Sequence, residues 1–240
     1  MKLFQGFALA FNMLTIIPFF KVHDFFKGIN GYSAMFYPLV GFLLGSFLWL
    51  THTLLEGSLP SIHLAVIIFA LWITLTGALH LDGLSDSIDG LFVPKERALE
   101  VMKDSHVGGM GMVFTSLFLL LKLSSLIFFE AYYLLPIILM LSRLNASLAI
   151  YFFEYSSLGV GSLLKEEFQT RHLVIAVSYS VILTLLFSFS LALPLAFMTF
   201  FIVATLFSQR LNGLSGDVYG FIIEVSELLL LNLFIIQNFS

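Results

Sequence analysis

Residues 80–90 read HLDGLSDSIDG, three aspartates and a histidine in one short stretch. On a helix, Asp82, Asp86 and Asp89 stand at i, i+4 and i+7, within about 60° of arc on one face. Three like charges placed so repel one another. Basic neighbours, protonation or a bound cation can relieve them, and carboxylate oxygens suit hard cations such as Mg²⁺ and Mn²⁺. No basic cluster nearby matches them in number. The plain alternative is a solvated helix end. Against it, the chain holds only 15 acidic residues, and Gly83 and Gly90 beside the acids allow close approach of a ligand.

A second stretch, VMKDSHVGGMG at 101–111, brings Asp104 and a glycine-rich helix start. The glycines are either a flexible helix entry or an anion site. In the second case the backbone N–H groups of Gly108 and Gly109 and the positive helix end face a phosphate, with Lys103, Ser105 and His106 as further donors. A third stretch, GDVYGFIIEVSE at 216–227, sets Asp217 at a helix start and Glu224 and Glu227 roughly 10 and 15 Å further along the axis. Carboxylates at such depth in an apolar segment must face the interior, pair, or be protonated. Arg143, in LSRLNASLAI, costs at least ~2.5–3.5 kcal/mol mid-span. It either pairs with Glu224 or Glu227, or lines a polar cavity and receives a substrate phosphate. Lys122 is read as snorkelling from near its helix end, with no further role.

These groups are carried by a chain that is 59% hydrophobic and 11% charged, with 28 phenylalanines and a mean hydropathy of +1.01. A soluble domain is closer to a quarter charged. Apolar runs of about 20 residues read as transmembrane helices, and they fall near 31–52, 62–80, 107–127, 133–153, 172–189, 195–209 and 218–238. Pro194 suits a tight turn between the fifth and sixth. Segment 3–20 either spans or is an interfacial or re-entrant piece ended by Pro18. The expected fold is therefore all-α: one polytopic membrane helical bundle over 1–240, with about 7 transmembrane helices (6–8). The start shows no small-residue cleavage pattern of a signal peptide. The absence of cysteine excludes disulfides, thiolate metal sites and a cysteine nucleophile. One set of connecting loops holds Lys21, Lys27, Lys95, Arg97, Lys103, Lys165, Arg171 and Arg210; the other holds no lysine or arginine. That split predicts a cytoplasmic location for the basic loops and, with them, for the acid cluster.

The polar segments together resemble the cobalamin synthase family. YPLVGFLLG (37–45) is similar to an early Pro-Leu-Ile/Val-Gly segment of that family. GALHLDGLSDSIDGLF (77–92) resembles its signature His-Leu-Asp-Gly-Leu-x-Asp-x-x-Asp-Gly, and VMKDSHVGGMG its Met-(Arg/Lys)-Asp-Ser-x-x-Gly. LSRLNA (141–146) and SGDVYGFIIEVSEL (215–228) follow in the same order. Two departures stand out. TIIP replaces the family's Thr-Arg-Leu-Pro, with Ile16 in the arginine's place. The 154–171 loop is poor in basic residues in its first half, so a nucleotide site there would need Lys165 or Arg171.

The resemblance implies late assembly of cobalamin. A ribose hydroxyl of α-ribazole or its 5′-phosphate attacks the corrinoid-attached phosphate of adenosylcobinamide-GDP, GMP leaves, and Mg²⁺ is required. This agrees with carboxylates and an anion site on one face. Asp82 and Asp86 are taken as metal ligands and Asp104 as a further one. Asp89 is a ligand or the general base. His80 orients a carboxylate or bonds a phosphate, and Asp217 completes the metal or ribose contacts. The expected setting is a bacterial or archaeal cytoplasmic membrane, surrounded by lipid, with no nucleic acid as partner and a homo-oligomer left open. A CDP-alcohol-type phosphotransferase is the alternative enzyme, but its motif needs Asp-Gly-x-x-Ala-Arg where this chain reads DGLSDS. An ion-coupled transporter would use Glu224, Glu227 and Arg143 as a relay, nearer the midplane than most of the acids lie.

Overall fold

The computed structural model describes residues 1–18, 20–22, 25–104, 106–156 and 160–239. Ser105, an expected phosphate donor, lies outside them. Helices run in the order α1 (Lys2–Leu14), α2 (Ile29–Leu55), α3 (Ser61–Leu75), α4 (Leu79–Leu91), α5 (Lys95–Met102), α6 (Gly109–Ile127), α7 (Leu135–Phe152), α8 (Val160–Glu167), α9 (Thr170–Leu186), α10 (Ala192–Leu211) and α11 (Gly216–Phe239). Five of them, α2, α6, α7, α10 and α11, are long and apolar enough to cross a membrane. The count rises to seven if the bent pairs α3–α4 and α8–α9 are each one crossing. The all-α polytopic bundle is thus present. Segment 3–20 yields only the 13-residue α1, about 20 Å long and short of a ~30 Å hydrocarbon core.

The centre of the bundle is α7, buried from Leu135 to Ile150. It meets α2 closely because Gly41 and Gly45 bring that helix onto the carbonyls of Leu139 and Leu135; any Cβ there would stand within 2.4 Å of them. Pro38 lies inside α2 and cannot bond the Ala34 carbonyl, so Ser147 Oγ donates to that oxygen at 2.9 Å. Pro194 sits in the first turn of α10, where proline is tolerated, and the turn itself precedes it.

The apolar run expected as one span over 62–80 is two helices, α3 and α4, bent by 82°. Gly77 (φ 62°) and Ala78 (φ 55°) are both left-handed, which ends α3. The Thr76 hydroxyl donates back to the Trp72 and Ile73 carbonyls. The freed carbonyl of Leu75 accepts the Ile16 N–H at 2.9 Å, and Ile16 Cγ2 packs so close to Gly77 that a Cβ there would be 2.5 Å away. The break re-aims α4, which carries the acids, across the end of the bundle. Arg210 then secures the far end of α4 by donating to the carbonyls of Gly90, Leu91 and Val93, while Lys95 donates to that of Gln209. The segment that carries Lys95, Arg97 and Lys103 and the one that carries Arg210 are therefore at the same end.

Candidate active site

Helices α4 and α11 run in opposite directions in close contact, with Gly83 against the backbone of Asp217 and Gly220 against that of His80. The close approach that Gly83 permits is that of a neighbouring helix rather than a ligand. Gly90 likewise receives the Met102 side chain, whose Sδ would be 2.7 Å from a Cβ. Beside the crossing lies a cavity of about 280 Å³, reached by α1, α2, α7 and α8 as well. His80, Asp82, Gly83 and Asp217 form its polar part. Asp86 stands beside it, with Asp82, Asp217 and Asp89 as charged neighbours. Asp82 is exposed, Asp86 and Asp217 are half-buried, and Ser215 Oγ donates to Asp217 at 3.2 Å. Among the described residues none of these three carboxylates has a cationic side chain within ion-pair distance; Lys103 acts on Asp217 from further away. Nor do any three His, Asp or Glu side chains among the described residues converge tightly enough to hold one ion between them.

His80 is buried, and neither ring nitrogen has a hydrogen-bond partner. A buried polar atom left so costs about 1–3 kcal/mol. Beside a cavity, that cost points to a contact made when the cavity is filled.

Asp89 is placed differently from Asp82 and Asp86. It is buried, and its two carboxylate oxygens accept the N–H groups of Gly108 and Gly111, each at 2.8 Å. The carboxylate caps the start of α6 from a neighbouring helix. A Cβ at Gly108 or at Gly111 would stand 2.3 Å from it, which explains the glycines. The Gly108 N–H, one of the two expected to face a phosphate, is thus bonded to a carboxylate of the protein, and both oxygens of Asp89 are engaged, which leaves it a poor base for a substrate proton. Asp104 and His106 bond to each other, Nδ1 to Oδ1 at 2.7 Å, on the open surface away from the cavity. The hydrogen bond from His106 holds the Asp104 carboxyl below its usual range. Gly109 is exposed, and a Cβ there would meet nothing within 4 Å.

Deeper in the bundle the ion-pair alternative for Arg143 is realised. Arg143 is fully buried and donates to Glu227 and, at 2.8 Å, to Ser142; its Nε and Nη2 have no partner. Lys122 departs from the sequence expectation. It does not snorkel but is 3% exposed, bonded to Glu224 at 2.6 Å and to Glu227, with its ammonium 4.5 Å from the Trp72 ring centroid. Two acids and two bases balance, so the carboxylates of a transporter relay are taken up as structural counter-ions. Lys165 is also engaged, donating to the Tyr151 carbonyl at 2.7 Å.

Sequence reasoning missed the aromatic side of the cavity, formed by Tyr37, Tyr155 and Tyr219. Tyr219 stands inside the GDVYG segment, one helical turn or less from Asp217, so the proximity was present in the spacing. Tyr155 comes from a connecting segment and carried no signal.

A family model described as cobalamin-5-phosphate synthase matches residues 6–235. Among curated relatives, an adenosylcobinamide-GDP ribazoletransferase of Desulfitobacterium hafniense is 39% identical over 93% of this chain and 93% of its own length. Proteins of the same name from Carboxydothermus hydrogenoformans and Acinetobacter baumannii are 35% and 32% identical, over 92% of both chains in the first case and 97% and 98% in the second. No solved structure matches the chain. With the family model covering nearly the whole length and the identity sustained end to end, the chain belongs to the cobalamin-5-phosphate synthase family.

Proposed function

We propose that the chain transfers the cobinamide-phosphate group of adenosylcobinamide-GDP to α-ribazole or its 5′-phosphate, releasing GMP, in the cavity beside the α4–α11 crossing. The observation that carries this is the set of uncompensated carboxylates, Asp82, Asp86 and Asp217, gathered at a cavity whose wall also holds the unpartnered His80. The names of the relatives supply the substrates.

Asp82, Asp86 and Asp217 would hold Mg²⁺. These hard oxygen donors fit it, and Mg²⁺ commonly takes only one or two carboxylates, filling its shell with water and substrate phosphate oxygens. A preformed three-ligand cage is therefore not needed. Bound there, the ion neutralises diphosphate charge and aligns the reacting groups. Asp104, outside the cavity, is not needed as a ligand. The ribose hydroxyl oxygen forms a bond to the corrinoid-bearing phosphorus, and the bond from that phosphorus to the oxygen of GMP breaks. The hydroxyl proton passes to whichever of Asp82 and Asp217 is not holding the ion, in place of the engaged Asp89. His80 hydrogen-bonds the hydroxyl or a phosphate oxygen and so ends its own isolation. Lys103, near Asp217, offers positive charge to the leaving nucleotide. The lysines and arginines of the loops at this end of the bundle support a site on the cytoplasmic side of a cytoplasmic membrane.

Purified chain incubated with adenosylcobinamide-GDP, α-ribazole 5′-phosphate and Mg²⁺ is expected to release GMP, and EDTA to stop it. Undiminished release in metal-free buffer would overturn the carboxylate–metal assignment.

A further inference from the structure

We infer that the aromatic half of the cavity is the seat of the acceptor's base: a planar benzimidazole-type heterocycle lies against Tyr155 and Tyr219, and its attached ribose reaches out to the acids. The inference rests on the transferase reading and goes beyond it by assigning which substrate enters the cavity and how it is oriented.

Size decides first. About 280 Å³ is at the lower end for small-molecule sites. It suits a bicyclic base better than a corrin macrocycle, which places the corrinoid toward the cavity's open side. The walls then set the orientation. One end carries His80, Asp82 and Asp217, and the rest is Tyr37, Tyr155 and Tyr219 with aliphatic neighbours such as Leu164 and Ile223. Such a division fits a ligand with a flat apolar end and a hydroxylated end.

Tyr219 is 8% exposed, and its hydroxyl has no partner. In a glycosylated benzimidazole one ring nitrogen remains as an acceptor, and this hydroxyl is the donor for it. The ring of Tyr155 lies 6.2 Å from that of Tyr219, tilted by 32°. Tyr155 is held there by its neighbours in the chain, where the Ser156 N–H donates to the Leu214 carbonyl and the Leu214 N–H to that of Glu154, both at 2.8 Å. Gly161, also at the cavity, packs closely on the ring, since a Cβ there would be 2.2 Å from Tyr155 Cε2. A ring fixed in this way contributes stacking area with little further loss of freedom on binding. Gly216, at the start of α11, also lines the cavity, and a Cβ there would meet only the Tyr155 hydroxyl, at 3.9 Å. The protein has room for a side chain at 216, and a ligand in the cavity would compete with it for that room.

The test is equilibrium binding of radiolabelled α-ribazole to the detergent-solubilised full chain in EDTA without the guanylylated substrate, then the KM of each substrate with Mg²⁺. Tyr219→Phe is expected to weaken ribazole binding about tenfold. Gly216→Val, whose Cβ would meet only the Tyr155 hydroxyl, is expected to weaken it at least that far, with the rise falling on the ribazole KM rather than on that of adenosylcobinamide-GDP. An unchanged dissociation constant in both variants overturns the inference. So does a rise confined to the guanylylated substrate, which would give the cavity to guanine, or a wild-type chain that does not bind ribazole. Wild-type binding that responds to both substitutions, with no GMP formed in the complete mixture, would keep the subsite and sink the transferase reading.

Discussion

The buried charge cluster makes a quantitative prediction through Lys122→Met. Lys122 is bonded to both Glu224 and Glu227, and all three are at most 4% exposed. With Arg143 the cluster balances two positive against two negative charges. Methionine keeps much of the volume and removes one charge, leaving two carboxylates and Arg143 alone. Removing one partner of a buried ion pair costs about 3–5 kcal/mol, because the other charge stays behind uncompensated. The lost contact with Trp72, at 4.5 Å, adds ~0.5–2 kcal/mol. Against a typical stability of about 5–15 kcal/mol, that is a large fraction. Lys122→Met combined with Glu224→Gln restores the balance while sparing the Arg143–Glu227 pair. The double variant is expected within about 1–2 kcal/mol of wild type, a coupling of at least ~2 kcal/mol. Reversible unfolding in mixed micelles of SDS and mild detergent reads these differences. If the single variant loses less than about 1 kcal/mol, or the double is no more stable than the single, the cluster is not a charge-balanced staple and the reasoning fails.

Two further substitutions separate roles that look alike in the sequence. Asp86→Asn is expected to slow GMP release by orders of magnitude at limiting Mg²⁺ with little change in melting temperature, whereas Glu130→Gln, on an exposed residue outside the site, should change neither. Asp89→Asn is expected to lower stability by about 1–3 kcal/mol, because an amide offers only one acceptor to the two N–H groups of Gly108 and Gly111; a melting temperature equal to wild type would refute the capping role. A tag in the 53–61 loop should be reached only from outside the cell and one in 81–106 only from the cytoplasm, and the opposite labelling would invert the proposed topology.

The sequence made the membrane class, the end positions of most spans and the depth of Glu224 and Glu227 legible, because length, apolarity and axial rise are local quantities. Partners across helices were not. Lys122 lies five residues before the end of α6, close enough to a boundary to read as snorkelling. Only the placement of α6 against α11 shows that it faces two carboxylates. The α3–α4 break was hidden for a similar reason. It has no proline, and Gly77 looks like any glycine in an apolar run until Ile16 is found filling the space above it and taking up the loose Leu75 carbonyl. The position where the family carries arginine thus bears a structural contact here, and any phosphate role expected of that arginine has no side chain at Ile16 to perform it.

Asp89 shows where spacing stops being informative. Periodicity places it on the same 60° face as Asp82 and Asp86, but a face that wide can meet two neighbours. Asp82 faces the cavity where α11 crosses, and Asp89 meets the start of α6. The acid cluster and the glycine-rich stretch, two apparent halves of a substrate site, are therefore joined to each other at one point, where the Gly108 and Gly111 N–H groups bond a carboxylate of the protein. The Asp89 bonds tie the C-terminal end of α4 to α6, where Arg210 also holds the Gly90 and Leu91 carbonyls. In the proposed transfer, Lys103, which acts on Asp217, is then the described side chain best placed to offer a substrate phosphate positive charge, in place of the Gly108 N–H that Asp89 has taken.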